Sequence, residues 1–509
     1  MLIDPELSSM LKILSARQTR ELDAYTIKHE PISSIDLMER ACRAFVHWFG
    51  GKFDATKKVG IVCGTGNNGG DGLGIARLLR EWDYPVTVWI ARGGAGESED
   101  FKTNLRQLQG KVDITEISAG AERGLFGDCD VLVDAIFGSG LSRPTEGIYA
   151  QVIECMNAAP AVRIAVDIPS GLLADGHSNG NIFCADYTVT FELPKLAFVL
   201  PQSFPYVGEW IVVDIGLSRK FIRECSTPFA LLQRKDVARL LKSRKKYDHK
   251  GTFGHALLIA GSYGKMGAAV LASKAALRTG AGLLTVHAPA CGFPVLQSAV
   301  PEAMYSPDDH HHLISTIPSL QKYSAIGIGP GLGQEPPTTE ALRNLLERNR
   351  EAMVIDADAL NILSTHREML HNVPYLSILT PHPKEFERLA GPWNDDFERL
   401  EKLRRFSSDH NVIIVLKGAN SAIAVPGGDV YFNPTGNPGM ATGGTGDVLT
   451  GILTGLLAQS YAPIEAAILG VYLHGLAGDL GALEMGMSSL IASDLSEFLP
   501  SAFQKLARG

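Results

Sequence analysis

Residues 59–72 read VGIVCGTGNNGGDG, and this stretch decides the fold of the first half of the chain. The short apolar run Val59–Val62 is typical of a strand that is buried on both faces of a parallel sheet. Leu73, Ala76 and Leu79 follow at helical spacing, so a helix is predicted after the glycine-rich turn. Glycines permit a tight turn, and the first N–H groups of the helix are free to bind a ligand. The stretch therefore predicts a strand–turn–helix unit with a binding site at the turn.

Similar apolar runs recur along the chain and predict further strands. In the first half they lie at Val86–Ile90, Val131–Phe137, Ile164–Ile168 and Ile211–Ile215. In the second half they lie at Ala256–Ala260, Leu283–His287, Ala325–Ile328, Met353–Ile355, Ile378–Thr380 and Val412–Leu416. Helices are predicted at Ala268–Thr279, with Gly280 as its C-cap, and at Asp447–Gln459. Strands that alternate with helices predict doubly wound α/β sheets.

The mixed, charged segment Leu217–Leu232 separates the two series of strands, so a domain boundary is placed near residue 226. The prediction is two three-layer α/β/α domains, at residues 1–225 and 226–509. The basic segment Lys242–Lys246 is either a solvated linker or the margin of a phosphate site.

Composition narrows the functional class. The 509 residues contain 47 Lys+Arg against 55 Asp+Glu, a net charge of −8, which disfavours nucleic acid and anionic membranes as partners. Seven cysteines without a Cys-x-x-Cys pair fit reduced thiols in a cytoplasmic protein. No secretory signal and no membrane span are predicted. The histidines His310–His312 are interpreted as a solvated loop rather than a metal site.

Two further motifs of the first half end predicted strands. Residues 133–141 read VDAIFGSGL and continue to Arg143 and Pro144, and residues 166–171 read VDIPSG. Ligands in doubly wound sheets bind beyond the carboxyl ends of the strands, where these motifs and the 59–72 turn would converge. The alternative is that Asp134 and Asp167 only cap turns.

Together, the NNGGDG, VDAIFGSG and DIPSG motifs resemble those of the NAD(P)HX epimerase family, over roughly residues 10–220. That family has a Rossmann-like fold, with a doubly wound sheet, and interconverts the R and S forms of hydrated NADH and NADPH. The resemblance implies that Asp167 contacts the substrate and handles a proton. It implies potassium binding by the oxygens of Asn68, Asp134 and Ser170. The substrate residues it implies are Asn67, Asn68, Gly69, Gly70, Asp71, Gly138, Ser139, Gly140, Leu141, Ser142, Arg143, Pro144 and Asp167.

Four motifs of the second half lie at predicted strand ends or helix starts. Residues 329–333 read GPGLG, residues 381–386 read PHPKEF, and residues 417–421 read KGANS. Residues 437–447 read NPGMATGGTGD and lead into the helix at Asp447–Gln459. Glycines at a helix start form an anion hole for a transferring phosphoryl group, and Asp447 at its edge can accept a proton.

This half, about residues 230–505, resembles the ribokinase-like superfamily and, within it, the ADP/ATP-dependent NAD(P)HX dehydratases. The resemblance implies that the S hydrate is phosphorylated by the nucleotide and then loses phosphate. ADP is the expected co-substrate, ATP is possible, and magnesium accompanies the phosphates. The nucleotide residues it implies are Lys417, Gly418, Ala419, Asn420, Ser421 and Gly446, and the hydrate residues are Ala268, Gly331, His382 and Asp447.

Several alternatives stay open on the sequence. Asp356 and Asp358 are metal or supporting groups or, as we favour, caps of the next helix. His382 is a ligand, or a core histidine whose hydrogen bonds are satisfied. The whole chain could be a ribokinase-like small-molecule kinase with a non-catalytic N-terminal binding module. We expect a homo-oligomer whose partners are the small molecules NADHX, NADPHX and ADP.

Overall fold

The structure is a computed structural model that describes residues 10–94, 96–118 and 120–508. By contact it divides into two compact units. The N-terminal unit contains residues 12–227 and 395–397, and the C-terminal unit contains the remaining described residues.

The N-terminal unit is built of alternating strands and helices. Strand β1 (Leu11–Lys12) comes first in the chain and belongs to the second sheet, described below. The following strands are β2 (Val59–Cys63), β3 (Val86–Ala91), β4 (Asp113–Ile117), β5 (Val131–Ala135), β6 (Val162–Val166), β7 (Tyr187–Phe191) and β8 (Glu209–Val213). The helices are α1 (Ala16–His29), α2 (Ser34–Lys52), α3 (Asn67–Glu81), α4 (Glu99–Leu108), α5 (Gly147–Asn157), α6 (Phe204–Val207) and α7 (Arg219–Glu224).

Seven of these strands form one parallel sheet in the order β4-β3-β2-β5-β6-β7-β8. Along β2, Ile61 packs in a core with residues of α2, α3 and α4, whereas Val62 packs in a second core with residues of α5. Since neighbouring residues of a strand point to opposite faces, the sheet is covered by helices on both sides. This arrangement confirms the predicted three-layer, Rossmann-like architecture.

The predicted strand positions are accurate at the centre of the sheet, but toward one edge they are shifted along the sequence. Strands β2, β3 and β5 lie where they were predicted, whereas β6 and β8 begin two residues earlier than predicted. Strands β4 and β7 were missed. Most residues of β4 are exposed because this strand lies at the edge of the sheet. An edge strand does not need a continuous apolar run, so no pattern in the sequence indicated it.

The C-terminal unit contains ten more strands and ten more helices. The strands are β9 (Phe229–Leu231), β10 (His255–Ile259), β11 (Leu283–Ala288), β12 (Met304–Pro307), β13 (Ala325–Ile328), β14 (Val354–Ile355), β15 (Ile378–Leu379), β16 (Ile413–Leu416), β17 (Ala422–Ala424) and β18 (Val430–Phe432). The helices are α8 (Arg234–Ala238), α9 (Met266–Thr279), α10 (Phe293–Ala299), α11 (Pro336–Arg348), α12 (Ala357–Thr365), α13 (Pro383–Ala390), α14 (Asp396–His410), α15 (Thr445–Ala458), α16 (Pro463–Met485) and α17 (Ala492–Ala507).

The second sheet has the order β1-β9-β18-β17-β16-β15-β14-β13-β10-β11-β12. Strands from β16 toward β12 pair in parallel, whereas β16–β17 and β17–β18 pair antiparallel. Ala256 and Leu258 of β10 pack in the core formed with α9, α15, α16 and α17. Leu257 and Ile259 of the same strand are buried on the opposite face, as in a three-layer fold.

Helix α9 ends as the sequence predicts. Gly280 is its C-cap, with a left-handed φ of 110°, and its N–H bonds to the carbonyl oxygens of Ala276 and Leu277. The hairpin β16–β18 was only partly predicted. Strand β16 was predicted, but residues 417–421 form the turn to the antiparallel strand β17 rather than a connection to a helix.

One helix, α16, is long and apolar enough to cross a membrane by length and composition. Within the fold, 72% of its apolar window is buried, as in the core helix of an α/β domain.

Candidate active sites

A cavity of about 750 Å³ lies at the carboxyl ends of the central strands of the N-terminal unit. Most of the residues that the epimerase resemblance implies are brought together there. The cavity is lined by Asn67, Asn68, Asp71, Gly138, Ser139, Gly140, Leu141, Ser142, Arg143 and Asp167. Gly69 and Gly70 are buried in the first turn of α3, and Pro144 is exposed just beyond the lining loop.

Two glycines permit the close packing of the 59–72 turn. A Cβ at Gly64 would lie 2.2 Å from the carbonyl oxygen of Ile136, and one at Gly69 would lie 1.8 Å from the carbonyl oxygen of Gly64. The turn can therefore press against the end of β5 only if both positions lack a side chain. This contact brings the NNGGDG and VDAIFGSG segments to one edge of the sheet.

Asp134, Ser170 and Asn68 are all buried, and Asn68 lines the cavity. The Asp134 carboxylate accepts hydrogen bonds from the Ser170 backbone N–H at 2.7 Å and from Ser170 Oγ at 2.6 Å. Burial raises the pKa of Asp134 to about 6, although the hydrogen bonds from Ser170 oppose that rise. In the part of the chain that the structure describes, no basic side chain pairs with this carboxylate, and Asn68 Nδ2 is buried without a hydrogen-bond partner. Asp134 Oδ1 also accepts from the Ile136 backbone N–H at 3.2 Å, so this residue does cap a turn, and its further role at the site stays a prediction.

Asp167 is held by a lysine that the sequence analysis missed. Lys195 Nζ lies 2.8 Å from Asp167 Oδ1, and it also donates to Thr190 Oγ1 at 2.9 Å and to the Leu193 carbonyl at 3.2 Å. Asp167 itself has a left-handed φ of 65°, which is uncommon for a residue with a side chain. Burial alone would raise the pKa of Asp167, but the Lys195 ammonium and its hydrogen bond hold that pKa below its ordinary value.

Two more charged side chains of helix α1 line the same cavity, and neither was predicted. Asp23 and Arg20 face it together with Thr19, Ala24 and Ile27, which is the spacing of one helix face. Burial, and after it the negative charge of Asp167, raise the pKa of Asp23 to about 6. Asp71 is affected in the same way, because burial and the charges of Asp167 and Asp23 raise its pKa well above its ordinary value.

The sequence indicates that Lys195 is buried, but it gives little indication that helix α1 contributes side chains to the cavity. Lys195 is followed by the buried run Leu196–Val199, and a lysine inside an apolar stretch is rarely buried unless it is paired. Helix α1 contains several charged residues, most of them solvated, so no pattern separates Asp23 from its neighbours.

A second cavity, of about 510 Å³, lies in the C-terminal unit between the 264–268 loop and the start of α15. Three of the four residues implied for the hydrate, Ala268, Gly331 and Asp447, line it. Burial, followed by the charge of Asp356, raises the pKa of Asp447 to about 6. The site therefore holds a carboxyl group whose pKa suits proton transfer near neutral pH.

The fourth residue, His382, lies next to this cavity rather than in its lining. It is the N-cap of α13, and its Nδ1 accepts from the backbone N–H groups of Lys384 at 3.1 Å and Glu385 at 3.4 Å. Its side chain is 46% exposed, which excludes the interpretation as a core histidine. Burial lowers its pKa. A role in binding the hydrate stays a prediction.

Lys417 and Gly446, two of the residues implied for the nucleotide, are neighbours in space. A Cβ at Gly446 would lie 3.3 Å from Lys417 Nζ. Lys417 Nζ donates to Asp356 Oδ1 at 2.9 Å, and Thr450 Oγ1 donates to Asp356 Oδ2 at 2.8 Å. Asp356 thus fixes the ammonium at the start of α15. The other implied residues, Gly418, Ala419, Asn420 and Ser421, lie in the turn between β16 and β17.

The favoured interpretation of Asp356 and Asp358 as helix caps is wrong for Asp356. It occupies the N-cap position of α12, but its side chain makes no capping hydrogen bond. Its two oxygens are taken by Lys417 and Thr450, because the strand end turns them toward α15. Asp358 lies in the first turn of α12 and lines the cavity, where it accepts from the Gly333 N–H at 2.9 Å.

Two side chains of helix α16 form hydrogen bonds to the glycine-rich loop before α15 and to the start of that helix. Asp479 accepts from the Gly436 N–H and from Asn437 Nδ2, both at 3.0 Å. His474 Nε2 lies 2.9 Å from the Thr445 carbonyl oxygen, and burial lowers the pKa of His474 to about 4. A neutral His474 therefore donates to the loop across the neutral pH range.

The histidine run at residues 310–312 is exposed, as predicted. The described residues contain no group of three or more His, Cys, Asp or Glu side chains arranged to hold a metal ion.

The two folds and their sites define a two-unit α/β enzyme, in which each unit has a ligand cavity at the ends of its parallel strands. Residues 34–197 match the family described as YjeF-related protein N-terminus, and residues 256–501 match the family described as NAD(P)H-hydrate dehydratase. The chain is 37% identical to the bifunctional NAD(P)H-hydrate repair enzyme Nnr of Moorella thermoacetica, over 97% of both chains. It is 36% identical to the enzyme of the same name from Coxiella burnetii, over 96% of this chain and 98% of that one.

The chain belongs to the family of bifunctional NAD(P)H-hydrate repair enzymes. Among solved structures, it is similar to the ADP/ATP-dependent NAD(P)H-hydrate dehydratase of Bacillus subtilis co-crystallised with ATP and Mg²⁺. That match has 35% identity and a TM-score of 0.48 and covers 54% of this chain and 97% of the other. Because the curated relatives match both units in one chain, the repair family is favoured over a kinase with a non-catalytic N-terminal module.

Proposed function

We propose that this chain repairs hydrated NADH and NADPH, by epimerising the R and S hydrates in the N-terminal unit and dehydrating the S hydrate in the C-terminal unit. The observation that carries the proposal is that each unit has a strand-end cavity lined by its own carboxyl group, Asp167 in one and Asp447 in the other. We assign residues 1–225 to the epimerase and residues 226–509 to the dehydratase.

In the epimerase, the cavity binds the hydrate and Asp167 handles a proton. The Asn67–Asp71 and Gly138–Pro144 segments surround the dinucleotide. Arg20 and Arg143 line the same cavity, and guanidinium groups suit its phosphates. The Lys195 ammonium keeps Asp167 ionised, so that this residue acts as a base.

Potassium fits the buried set of Asp134, Ser170 and Asn68 in the epimerase. Asp134 supplies one negative charge, and Ser170 and Asn68 supply neutral oxygens, which together match a hard cation of low charge. The buried carboxylate lacks a basic partner among the described residues, and a bound cation would offset the free-energy cost of burying it. The ion would hold the ends of β5 and β6 together under the substrate.

In the dehydratase, the nucleotide donates a phosphoryl group to the hydroxyl of the S hydrate, and loss of phosphate restores NAD(P)H. Asp447 accepts the hydroxyl proton. The N–H groups at the start of α15 receive the phosphoryl oxygens, and Lys417 neutralises their charge. ADP is the proposed co-substrate, with ATP as an alternative. Magnesium would come with the nucleotide phosphates, as is usual for this ion.

We also propose that the protein is cytoplasmic and acts on small molecules as a homo-oligomer. The reduced state of its seven free cysteines, four of them at least partly exposed, fits that compartment.

The proposal is tested by supplying a mixture of R and S NADHX with potassium, magnesium and either ADP or ATP. Complete conversion to NADH with one nucleotide is expected. Conversion of the S form alone would refute the epimerase assignment, and no NADH with either nucleotide would refute the dehydratase assignment.

A further inference from the structure

Asp23 faces the Asp167–Lys195 pair from a separate element of the fold. Asp167 follows strand β6, whereas Asp23 lies on helix α1, and both side chains line the 750 Å³ cavity. Among the described residues, no hydrogen bond or ion pair engages the Asp23 carboxyl. Asp167, by contrast, is fixed by Lys195 and Thr190. The cavity lining thus includes an anchored carboxylate, Asp167, and a carboxyl group, Asp23, that is free to contact a ligand.

The charges around them give the carboxyl groups of Asp23 and Asp167 different protonation states. The cavity also holds Asp71, and its only lysine among the described lining residues, Lys195, is committed to Asp167. Burial and the Asp167 charge raise the pKa of Asp23 to about 6, although Lys195 opposes that rise. Two carboxyl groups with pKa values driven apart are the usual arrangement for an acid and a base in one site.

Asp71 is the rival for the acid role. Burial and the charges of Asp167, Asp23 and Asp100 raise its pKa well above the ordinary value. A group that must give up a proton and regain it in each cycle works best when its pKa lies near the working pH. The pKa of Asp23, at about 6, meets that condition.

We propose that Asp23 is a second catalytic residue of the epimerase, acting as the general acid opposite Asp167. This inference rests on the epimerase activity proposed above. Inversion at one carbon requires an acid and a base at different faces of the hydrated ring, and the two carboxyl groups reach the cavity from different elements.

The reaction from R to S balances as follows. Asp23 gives its proton to the hydroxyl oxygen on the hydrated carbon, the C–O bond breaks with its electron pair, and water leaves. The lone pair of the adjacent ring nitrogen forms a C=N bond. A water molecule adds to the opposite face, its oxygen lone pair forms the new C–O bond, the C=N electrons return to nitrogen, and Asp167 takes the released proton. Transfer of that proton to Asp23 through solvent restores the starting state.

The test measures R-to-S conversion by the full chain, with dehydration of pure S hydrate as an internal control. Asp23→Asn keeps the size of the side chain but cannot donate this proton, and we expect conversion to fall about 100-fold or more. Asp23→Glu should recover part of the activity. Glu21→Gln is the matched control, because Glu21 lies on the same helix, pairs with Arg17 and is outside the cavity lining.

Two further measurements distinguish catalysis from a structural role. The rate of R-to-S conversion by the wild type should decline as the pH rises above about 6, where Asp23 loses its proton. In Asp23→Glu, the decline should occur at a different pH. In ¹⁸O-labelled water, each inversion should incorporate one solvent oxygen. Near-normal conversion by Asp23→Asn, or retention of the original oxygen, would overturn the inference while leaving the epimerase assignment intact. Loss of R-to-S conversion in the wild type would overturn both.

Discussion

Lys195 Nζ lies 2.8 Å from Asp167 Oδ1, and the two side chains are only 3% and 12% exposed. A buried ion pair of this kind is strongly destabilised when one partner is removed, because the other charge is left without compensation. The pair joins the end of β6 to the segment after β7, and the cavity of the N-terminal unit is built around it.

Replacing Lys195 by methionine removes the ammonium and keeps much of the side-chain volume. We expect the pKa of Asp167 to rise, R-to-S conversion to fall, and unfolding to become easier by about 3–5 kcal/mol. Lys195→Arg, which keeps the charge, should be milder. Chromatographic separation of the two hydrates measures the activity, and thermal unfolding measures the stability. A Lys195→Met chain with wild-type stability and activity would contradict this account of the pair.

The same pair predicts a pH dependence of stability. The pKa of Asp167 in the folded protein lies below its ordinary value of 3.8. The carboxylate therefore contributes its full stabilisation above pH 3.8, and the contribution is lost as the pH falls through the lower folded value. We expect the difference in melting temperature between wild type and Lys195→Met to shrink as the pH falls, first through the raised pKa of Asp167 in the variant and then through its lowered pKa in the wild type. A difference in melting temperature that stays the same in acid would contradict this account of the Asp167–Lys195 ion pair.

Lys417→Met should weaken binding of the nucleotide. Hydrogen bonds to charged groups contribute about 1.5–3 kcal/mol, so the KM for ADP should rise roughly 10- to 100-fold. Asp356→Asn should act in the same direction but less, because it frees the Lys417 ammonium that Asp356 now fixes at 2.9 Å. Initial rates of S-hydrate dehydration at several ADP concentrations measure both effects. R-to-S conversion serves as the control and should not change.

Asp447→Asn should reduce dehydration of the S hydrate by about 10²- to 10⁴-fold, as expected for loss of a general base. Burial and the Asp356 charge raise the pKa of Asp447 to about 6, and a base must be ionised to act. The wild-type rate should therefore rise with pH through about 6 and level off above it. A rate that is flat between pH 5 and 7 would show that another group takes the proton.

Replacing potassium by choline should slow R-to-S conversion and leave dehydration of the S hydrate unchanged. The reason is that the proposed ligands Asn68, Asp134 and Ser170 all belong to the N-terminal unit. Asp134→Asn removes the one negative charge and should make conversion insensitive to potassium at a low level. Equal potassium dependence of both activities would contradict the location of this site.

Local sequence was sufficient to predict strands that are buried on both faces. Strands β2, β3, β10 and β13 combine short apolar runs with turns at their ends, and each lies within about a residue of its predicted position. Strands β4 and β12, at the sheet edges, are partly exposed and gave no such pattern. The strands of the β16–β18 hairpin were only partly found, because three-residue strands are too short to show a period.

The sequence by itself determined the two α/β architectures, the glycine-rich turns and the motif residues that line the two cavities, since these lie together in short motifs at strand ends. Only the tertiary structure decided the partners of those residues. Lys195 contacts Asp167 although the two residues are 28 positions apart in sequence. Asp356 contacts Lys417 and Thr450, which are 61 and 94 positions away in sequence. Charges that are far apart in sequence perturb one another only when folding buries them side by side, where water no longer screens them.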